Sequence, residues 1–338
     1  MEKYGYRFSF GPWNIHEGAD PFGPPVRPSV PFEKKLAAYQ RLGFDAVQFH
    51  DDDAVPGLDE KSATQLEAEA RALKAKLDGM GLAVEFVAPR LWEHPLTIDG
   101  AYTANDPAAR AYARLRSRKA LDIAQALGAD LIVLWLAREG TYLREAKDAA
   151  RAVDLLAAAI DDMLDYAPGM RFAVEPKPNE PMDLAYIPTI GHAVALSFKS
   201  KDPSRVGVLV ESAHAILAGL DPADEMAFGL AYGKLWSVHL NDQNGLKFDQ
   251  DRSFGAVNLR RAFDQVLVLD DHRYYETGIV GLDVKALRTQ KAEVAEKHLR
   301  NSLETFLWLV DRAAVQQCIA ARDYEELDRL ILAHLLRR

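Results

Sequence analysis

RFAVEPKPNE, residues 171–180, places a carboxylate and a lysine two residues apart where an apolar strand runs out. Arg171 to Val174 reads as a short buried strand, and Glu175 is the first side chain able to stand outside the core. Side chains i and i+2 of a strand share a face, so Glu175 and Lys177 point the same way, and the prolines at 176 and 178 stiffen the exit. A metal ligand and a fixed positive charge then look into one pocket. The plain alternative is a surface Glu beside a surface Lys. The ends of the other strands decide against it.

Working outward, the chain alternates strand and helix. Upstream lie strands at Tyr6 to Gly11, Phe44 to Phe49, Leu82 to Ala88 and Ala129 to Leu136; downstream they fall at Val206 to Val210, Leu235 to Leu240 and around Gly278 to Val284. Helical patterns separate them at Glu33 to Arg41, Glu60 to Met80, Asp106 to Leu127, Glu145 to Tyr166, Ile190 to Phe198, Pro222 to Tyr232 and Leu259 to Leu269. Asn105 is the expected cap of the helix that follows it. Glu293 to Gln317 and Tyr324 to Leu336 complete the chain as helices. Strands followed in turn by helices are the signature of a parallel α/β fold, and eight of them favour closure into a (β/α)8 TIM barrel with a short C-terminal helical extension. No GxGxxG follows the first strand, which leaves an open dinucleotide-binding sheet without support. The expected division is a catalytic barrel over residues 1–312 and a helical extension over 313–338.

Composition agrees with a globular protein: 49% of the 338 residues are hydrophobic and 27% charged. The formal charge of -9 disfavours nucleic acid or an acidic membrane as a partner. One cysteine, Cys318, cannot form an internal disulfide, which suits a reducing cytoplasm. The N-terminus MEKYGYRFSF lacks an apolar signal region, and no run of roughly 18 apolar residues occurs.

In a barrel the C-terminal strand ends converge on one face, where active sites lie. The polar side chains at those ends are His50 and Asp53, Glu175 and Lys177, Glu211 and His214, His239, Asp249 and Asp251, and Asp283. A lone histidine such as His239 is often a satisfied core residue, and an acidic loop is often only solvated. Five carboxylates at one barrel mouth are another matter, because their repulsion is costly without cations. Carboxylate and imidazole ligands without cysteine suit Mg²⁺, Mn²⁺ or Co²⁺, and there are enough for two ions.

These residues carry a resemblance to the D-xylose isomerases, through FSFGPW, DPFG, FHDDD, HP, TAND, LWLAREG, EPKPNEP, GHA, NDQNGLKFDQD and FGA, over about residues 6–312, with a weaker likeness at YEELDRLILAHLL. The resemblance implies a metal-dependent barrel enzyme, a homo-oligomer (dimer or tetramer), that interconverts an aldose and a ketose with two divalent ions per subunit. Carried over, Glu175, Glu211, Asp283 and His239 hold the first ion, and Glu211 bridges to a second completed by His214, Asp249 and Asp251. His50, oriented by Asp53, assists opening of the sugar ring, and Lys177 holds the carbonyl oxygen as it gains charge. Trp13, Trp92 and Trp135 match residues lining the substrate channel, Lys285 joins the substrate-binding set, and Phe22 matches a residue that reaches into a neighbouring subunit. Together they suit a metal-assisted hydride shift in a site walled against water.

Departures from the pattern bear on substrate and metal. His239 stands where those isomerases have aspartate, so the two sites carry five carboxylates in place of six, which favours Mn²⁺ or Co²⁺ over Mg²⁺. A histidine there also resembles the related sugar epimerases, which use one metal and a glutamate pair for proton transfer. Asp249, Asp251 and His214 have no evident purpose in that chemistry and favour the isomerase. A silent sugar-binding relative would be expected to have lost His50, Lys177 or part of the metal cage. Ala88, Arg90 and Leu209 replace polar residues of the family pattern, removing hydrogen bonds that discriminate sugars. The C-terminal arm is shorter than the family's.

Overall fold

The computed structural model describes residues 3–15, 17, 18, 24–246, 248–291, 294, 296–310 and 313–336. Eight strands form its centre: β1 (Phe8–Phe10), β2 (Ala46–His50), β3 (Ala83–Ala88), β4 (Leu131–Trp135), β5 (Arg171–Glu175), β6 (Val206–Glu211), β7 (Leu235–Leu240) and β8 (Val280–Leu282). Each pairs in parallel with its neighbours in chain order, and β1 pairs with β8 to close the barrel. Both faces of such strands are covered, so they read as nearly continuous apolar runs. In β4, LIVLW, only Trp135 is less than buried.

The outward side chains, Val87, Ile132, Leu134, Phe172, Val174, Val208 and Val210 among them, pack under the helices in one large cluster. The inward ones, Phe86, Ala88, Leu131, Val133, Ala173 and Leu209, make a small second cluster that Trp13 and Trp236 pack against. Ser9, Gln48, Glu85 and Ser237 are buried inside the barrel as well, joined by hydrogen bonds. None of them was singled out from the sequence.

Helix boundaries follow local chemistry more closely than periodicity does. The helix after β3 is capped by Asp106, not Asn105: Pro107 fixes the first turn, Asp106 accepts from the Ala108 N–H at 2.8 Å, and the Asn105 amide binds the Ala146 carbonyl at 3.0 Å. Ser62 and Gln65 form a capping box that starts the preceding helix at Ala63 rather than at Glu60. The helix expected from Glu145 starts at Ala149 behind Asp148, which accepts from Ala150 and Arg151. The stretch expected as one helix from Glu293 to Gln317 is divided between two, Lys297–Val310 and Ala313–Ala320, the second running past Gln317.

An antiparallel pair, Gly140–Thr141 with Leu184–Ala185, ties the loop after β4 to the loop after β5. A Cβ at Gly140 would lie 2.3 Å from the Leu184 carbonyl oxygen, so the approach needs glycine. At the C-terminus, Val315, Cys318 and Leu327 join the large core cluster, and Arg260 pairs with Asp328 on the helix Tyr324–Leu336. Among the described residues no helix is long and apolar enough to cross a membrane.

Candidate active site

The strand register builds the site. Glu175 ends β5 beside Trp135, and Glu211 ends β6 directly opposite His239 of β7. The short helix Ser212–Leu217 starts immediately after Glu211, and its i, i+3 spacing folds His214 back over the strand ends. His214 Nε2 lies 3.3 Å from Glu211 Oε1 and 3.1 Å from Asp249 Oδ2, while Nδ1 is 3.5 Å from Glu175 Oε1. His239 turns Nδ1 to the same centre, 3.7 Å from Glu175, 3.6 Å from Glu211 and 3.9 Å from Asp283. Asp283 sits just beyond β8, and Asp249 and Asp251 enter from the loop after β7.

Three groups of side chains bring ligand atoms within 4.8 Å of one another: Glu175, Glu211 and His214; Glu211, His239 and Asp283; Glu211, Asp249 and Asp251. Glu211 belongs to all three. Its carboxyl is pushed up to about 8, by burial first and then by Asp249 and Asp283, against the pull of His214. Asp251 is pushed well above the carboxylate range by burial and by the charge of Asp249. His214 Nδ1, both ring nitrogens of His239 and Asp249 Oδ1 are buried without a hydrogen-bond partner. Buried, mutually repelling acceptors left unsatisfied fit divalent cations, whose oxygen and imidazole ligands these are.

Two cations of the chain already stand among the carboxylates. The buried Lys177 ammonium is 2.8 Å from Asp249 and 3.4 Å from Glu180, and lies 5.2 Å over the Trp135 ring. Burial works against its charge, but Asp249 and Glu180 outweigh that and hold it above its ordinary value. Lys285 pairs with Asp251. It lines the cleft with its charge engaged there.

The aromatic residues meet beside these charged groups. Trp13 and His50 rings stand 4.1 Å apart, His50 and Trp92 5.1 Å, and Trp92 and Trp135 4.4 Å. His50 Nδ1 is 2.9 Å from Asp53 Oδ2. Trp13, His50, Trp92 and Trp135 line a cleft of about 620 Å³ together with the carboxylates, imidazoles and lysines above, and Asp53 stands behind His50 outside that lining. Phe22 lies outside the described residues.

Sequence reading passed over Asn241, Asn14 and Glu180, which hold the site. The Asn241 amide donates to Glu211 at 2.9 Å, to Asp251 at 3.2 Å and to the Asp283 carbonyl at 3.0 Å. Asn14 and the Trp13 indole donate to the Asp283 carboxylate, at 2.8 and 2.9 Å. Glu180 accepts from the Asp249 backbone N–H at 3.0 Å, fixing the acidic loop against the lysine. Arg90, read only as a missing hydrogen bond, reaches 2.7 Å from His50 Nδ1 and 3.1 Å from Asp53 Oδ1. Asn241 opens the NDQNGLKFDQD motif, which was the available signal; the others are visible only in three dimensions.

A closed α/β barrel with a cleft of carboxylates, imidazoles and tryptophans at its C-terminal mouth defines the class of sugar isomerase and epimerase barrels. Over residues 36–302 the chain matches the family described as xylose isomerase-like TIM barrel, and it belongs to that family. It is 36% identical over 338 residues to the xylose isomerase of Thermus thermophilus, covering 98% of this chain and 85% of that protein. Among solved structures it resembles a D-psicose 3-epimerase crystallised with D-fructose, with a TM-score of 0.63 at 15% identity over 90% of this chain and 99% of that one. It also resembles the IolI protein with a bound zinc atom, with a TM-score of 0.61 at 14% identity over 90% and 98% of the two chains. Those two likenesses show the fold.

Proposed function

We propose that the chain is a divalent-cation-dependent aldose–ketose isomerase working by ring opening and a 1,2-hydride shift, with D-xylose to D-xylulose as the first reaction to examine and D-glucose to D-fructose as the next. The observation that carries this reading is Glu211, common to three ligand groups that between them use six further residues. A carboxylate so placed could be shared between two divalent ions, Mn²⁺, Co²⁺ or Mg²⁺, which Glu175, His214, His239, Asp249, Asp251 and Asp283 would help hold. The 36% identity to a xylose isomerase across nearly the whole chain supports it.

Divalent ions held by these residues would supply Lewis-acid polarisation of substrate oxygens. The chain's own residues do the rest. His50, set between Trp13 and Trp92 and held by Asp53, stands where it exchanges a proton with a ring oxygen. Lys177 carries a buried, permanent charge, which is worth most where negative charge gathers on a carbonyl oxygen. The three tryptophans exclude water, so hydrogen moving between adjacent carbons is not lost to solvent.

His239 and the epimerase neighbours favour one second reading, proton transfer at carbon by Glu175 and Glu211 about a single ion. Nuclear magnetic resonance separates the two. With Mn²⁺ removed after turnover in D₂O, xylose or glucose converted to ketose with no deuterium at C1 or C2 is the expected result. Deuterium at carbon overturns the hydride shift and assigns proton transfer. The acidic charge and single cysteine suit a cytoplasmic enzyme, and the helices beyond residue 312 are proposed as an oligomer contact.

A further inference from the structure

Beneath His239, inside the barrel, a carboxylate is buried that no metal group includes. Glu85 of β3 receives hydrogen bonds from Ser9 of β1, from Gln48 of β2 at 3.0 Å and from Ser237 of β7 at 2.8 Å. The Gln48 amide also donates to the Ser9 hydroxyl at 3.0 Å, so that hydroxyl turns its own hydrogen to Glu85. Three strands thus aim donors at one side chain, the arrangement that holds an ionised carboxylate in a dry interior. Burial pushes Glu85 above its ordinary value, and these donors and the nearby His239 ring offset only part of that rise.

The ring of His239 has two unlike edges. Nδ1 faces Glu175, Glu211 and Asp283, at 3.6 to 3.9 Å. The far edge faces down the barrel: a Cβ built on Gly281 would lie 3.0 Å from His239 Cδ2 and 2.4 Å from the Gln48 amide nitrogen, so the hollow left by glycine is shared by the imidazole and the amide that holds Glu85. Nε2 on that edge is buried and has no hydrogen-bond partner. A ligating imidazole needs its other N–H directed to a group that fixes the ring and raises its basicity, most often a carboxylate or carbonyl.

We propose that Glu85 positions His239 through Gln48, which donates to Glu85, shares the Gly281 hollow with the ring and has a buried Oε1 without a partner, so that Nδ1 is fixed as the ligating nitrogen with Nε2–H turned to the barrel interior, and that Glu85 restores from below the negative charge an aspartate at position 239 would have supplied. The inference rests on the reading of the mouth as a divalent-cation site. On this account the His239 exchange moves one charge of the cage by a layer and leaves the total at six.

Calorimetry with Mn²⁺ alone, on the whole chain stripped by chelator, tests it. Glu85→Gln is expected to weaken Mn²⁺ uptake by about 10- to 100-fold, the range for removing such a supporting group. In a His239→Asp background the same substitution is expected to cost less than about threefold, because no imidazole is left to position, and a purely structural Glu85 would cost the same in both. Unchanged Mn²⁺ affinity in Glu85→Gln, or equal losses in the two backgrounds, overturns the proposal. Should Glu85→Gln not fold, ¹⁵N spectra of the Zn²⁺-loaded wild-type chain decide: a protonated Nε2 and a metal-shifted Nδ1 support the assignment, and the reverse overturns it. A wild-type chain that takes up no Mn²⁺ removes the cation reading itself, an outcome distinct from any difference between variants.

Discussion

Asp53 holds its carboxyl at about 2 even though it is half-buried. Burial alone pushes a carboxyl up; here the hydrogen bond and charge of His50, with Arg90 behind them, outweigh it. A carboxyl held below its unfolded value stabilises the fold above that unfolded value and loses the contribution as pH falls toward the folded one. The window is therefore about pH 4 down to about pH 2, and the lowering is worth about 2 kcal/mol above it. Asp53→Asn is accordingly expected to lower unfolding free energy in urea by about that amount at pH 6, and by about half of it at pH 3. A difference that does not shrink on acidification counts against the account. The His50 and Asp53 pair was legible in FHDDD, because one helical turn brings i and i+3 together. The guanidinium that shares them was not, since Arg90 is 40 residues away from His50 along the chain.

At the scale of elements, the loops after β3 and β4 are held by one side chain. Glu139 accepts the backbone N–H groups of Ala101, Tyr102 and Thr103 at 3.1, 2.8 and 2.9 Å, and the Thr103 hydroxyl as well. Its neighbour Arg138 binds the Trp92 carbonyl at 3.0 Å, so this junction also sets a wall of the cleft. Glu139→Gln puts an N–H₂ group where a charged acceptor met donors, and leaves buried amides unpaired. The expected cost is about 2–4 kcal/mol in urea denaturation, since each buried donor left unsatisfied costs about 1–3 kcal/mol. Wild-type stability in that variant would show that the loops hold without the clamp. From sequence, LWLAREG marked the end of β4 but gave no sign that its glutamate turns back to loop 101–103. The strands themselves were legible because parallel strands in a closed barrel are apolar on both faces, as in FAV before Glu175 and LIVL before Trp135. The register that sets Glu211 opposite His239 was not, because pairing between strands is a relation of distant residues. The buried Glu85 was lost for a related reason: within VEFVA it reads as an exposed position of an alternating strand, and only the register shift that leaves it unpaired between Val84 and Phe86 turns it inward beside Phe86.

For the whole molecule, the barrel closes at the cost of gathering five carboxylates and two imidazoles at one mouth, a cost that divalent cations held there would relieve. Anything that binds the folded chain alone stabilises it by about 2.7 kcal/mol at a hundredfold excess over its dissociation constant, about 5 °C in melting temperature for a domain of this size. Addition of Mn²⁺ to the chelator-stripped chain is expected to raise the melting temperature by that order. The sign of the pH dependence follows from Glu211. Its folded value, about 8 without metal, lies above its ordinary 4.5, so between those values the metal-free fold keeps a proton that the unfolded chain releases, and its stability falls as pH rises through that window. Metal uptake expels that proton, so the stabilisation by Mn²⁺ grows from pH 6 to pH 8 and levels off above. Titration to saturation counts the ions. Two per chain agree with Glu211 shared between sites. One per chain, with the proton linkage intact, would remove Asp249 and Asp251 from the ligand set and turn the assignment toward single-ion proton-transfer chemistry.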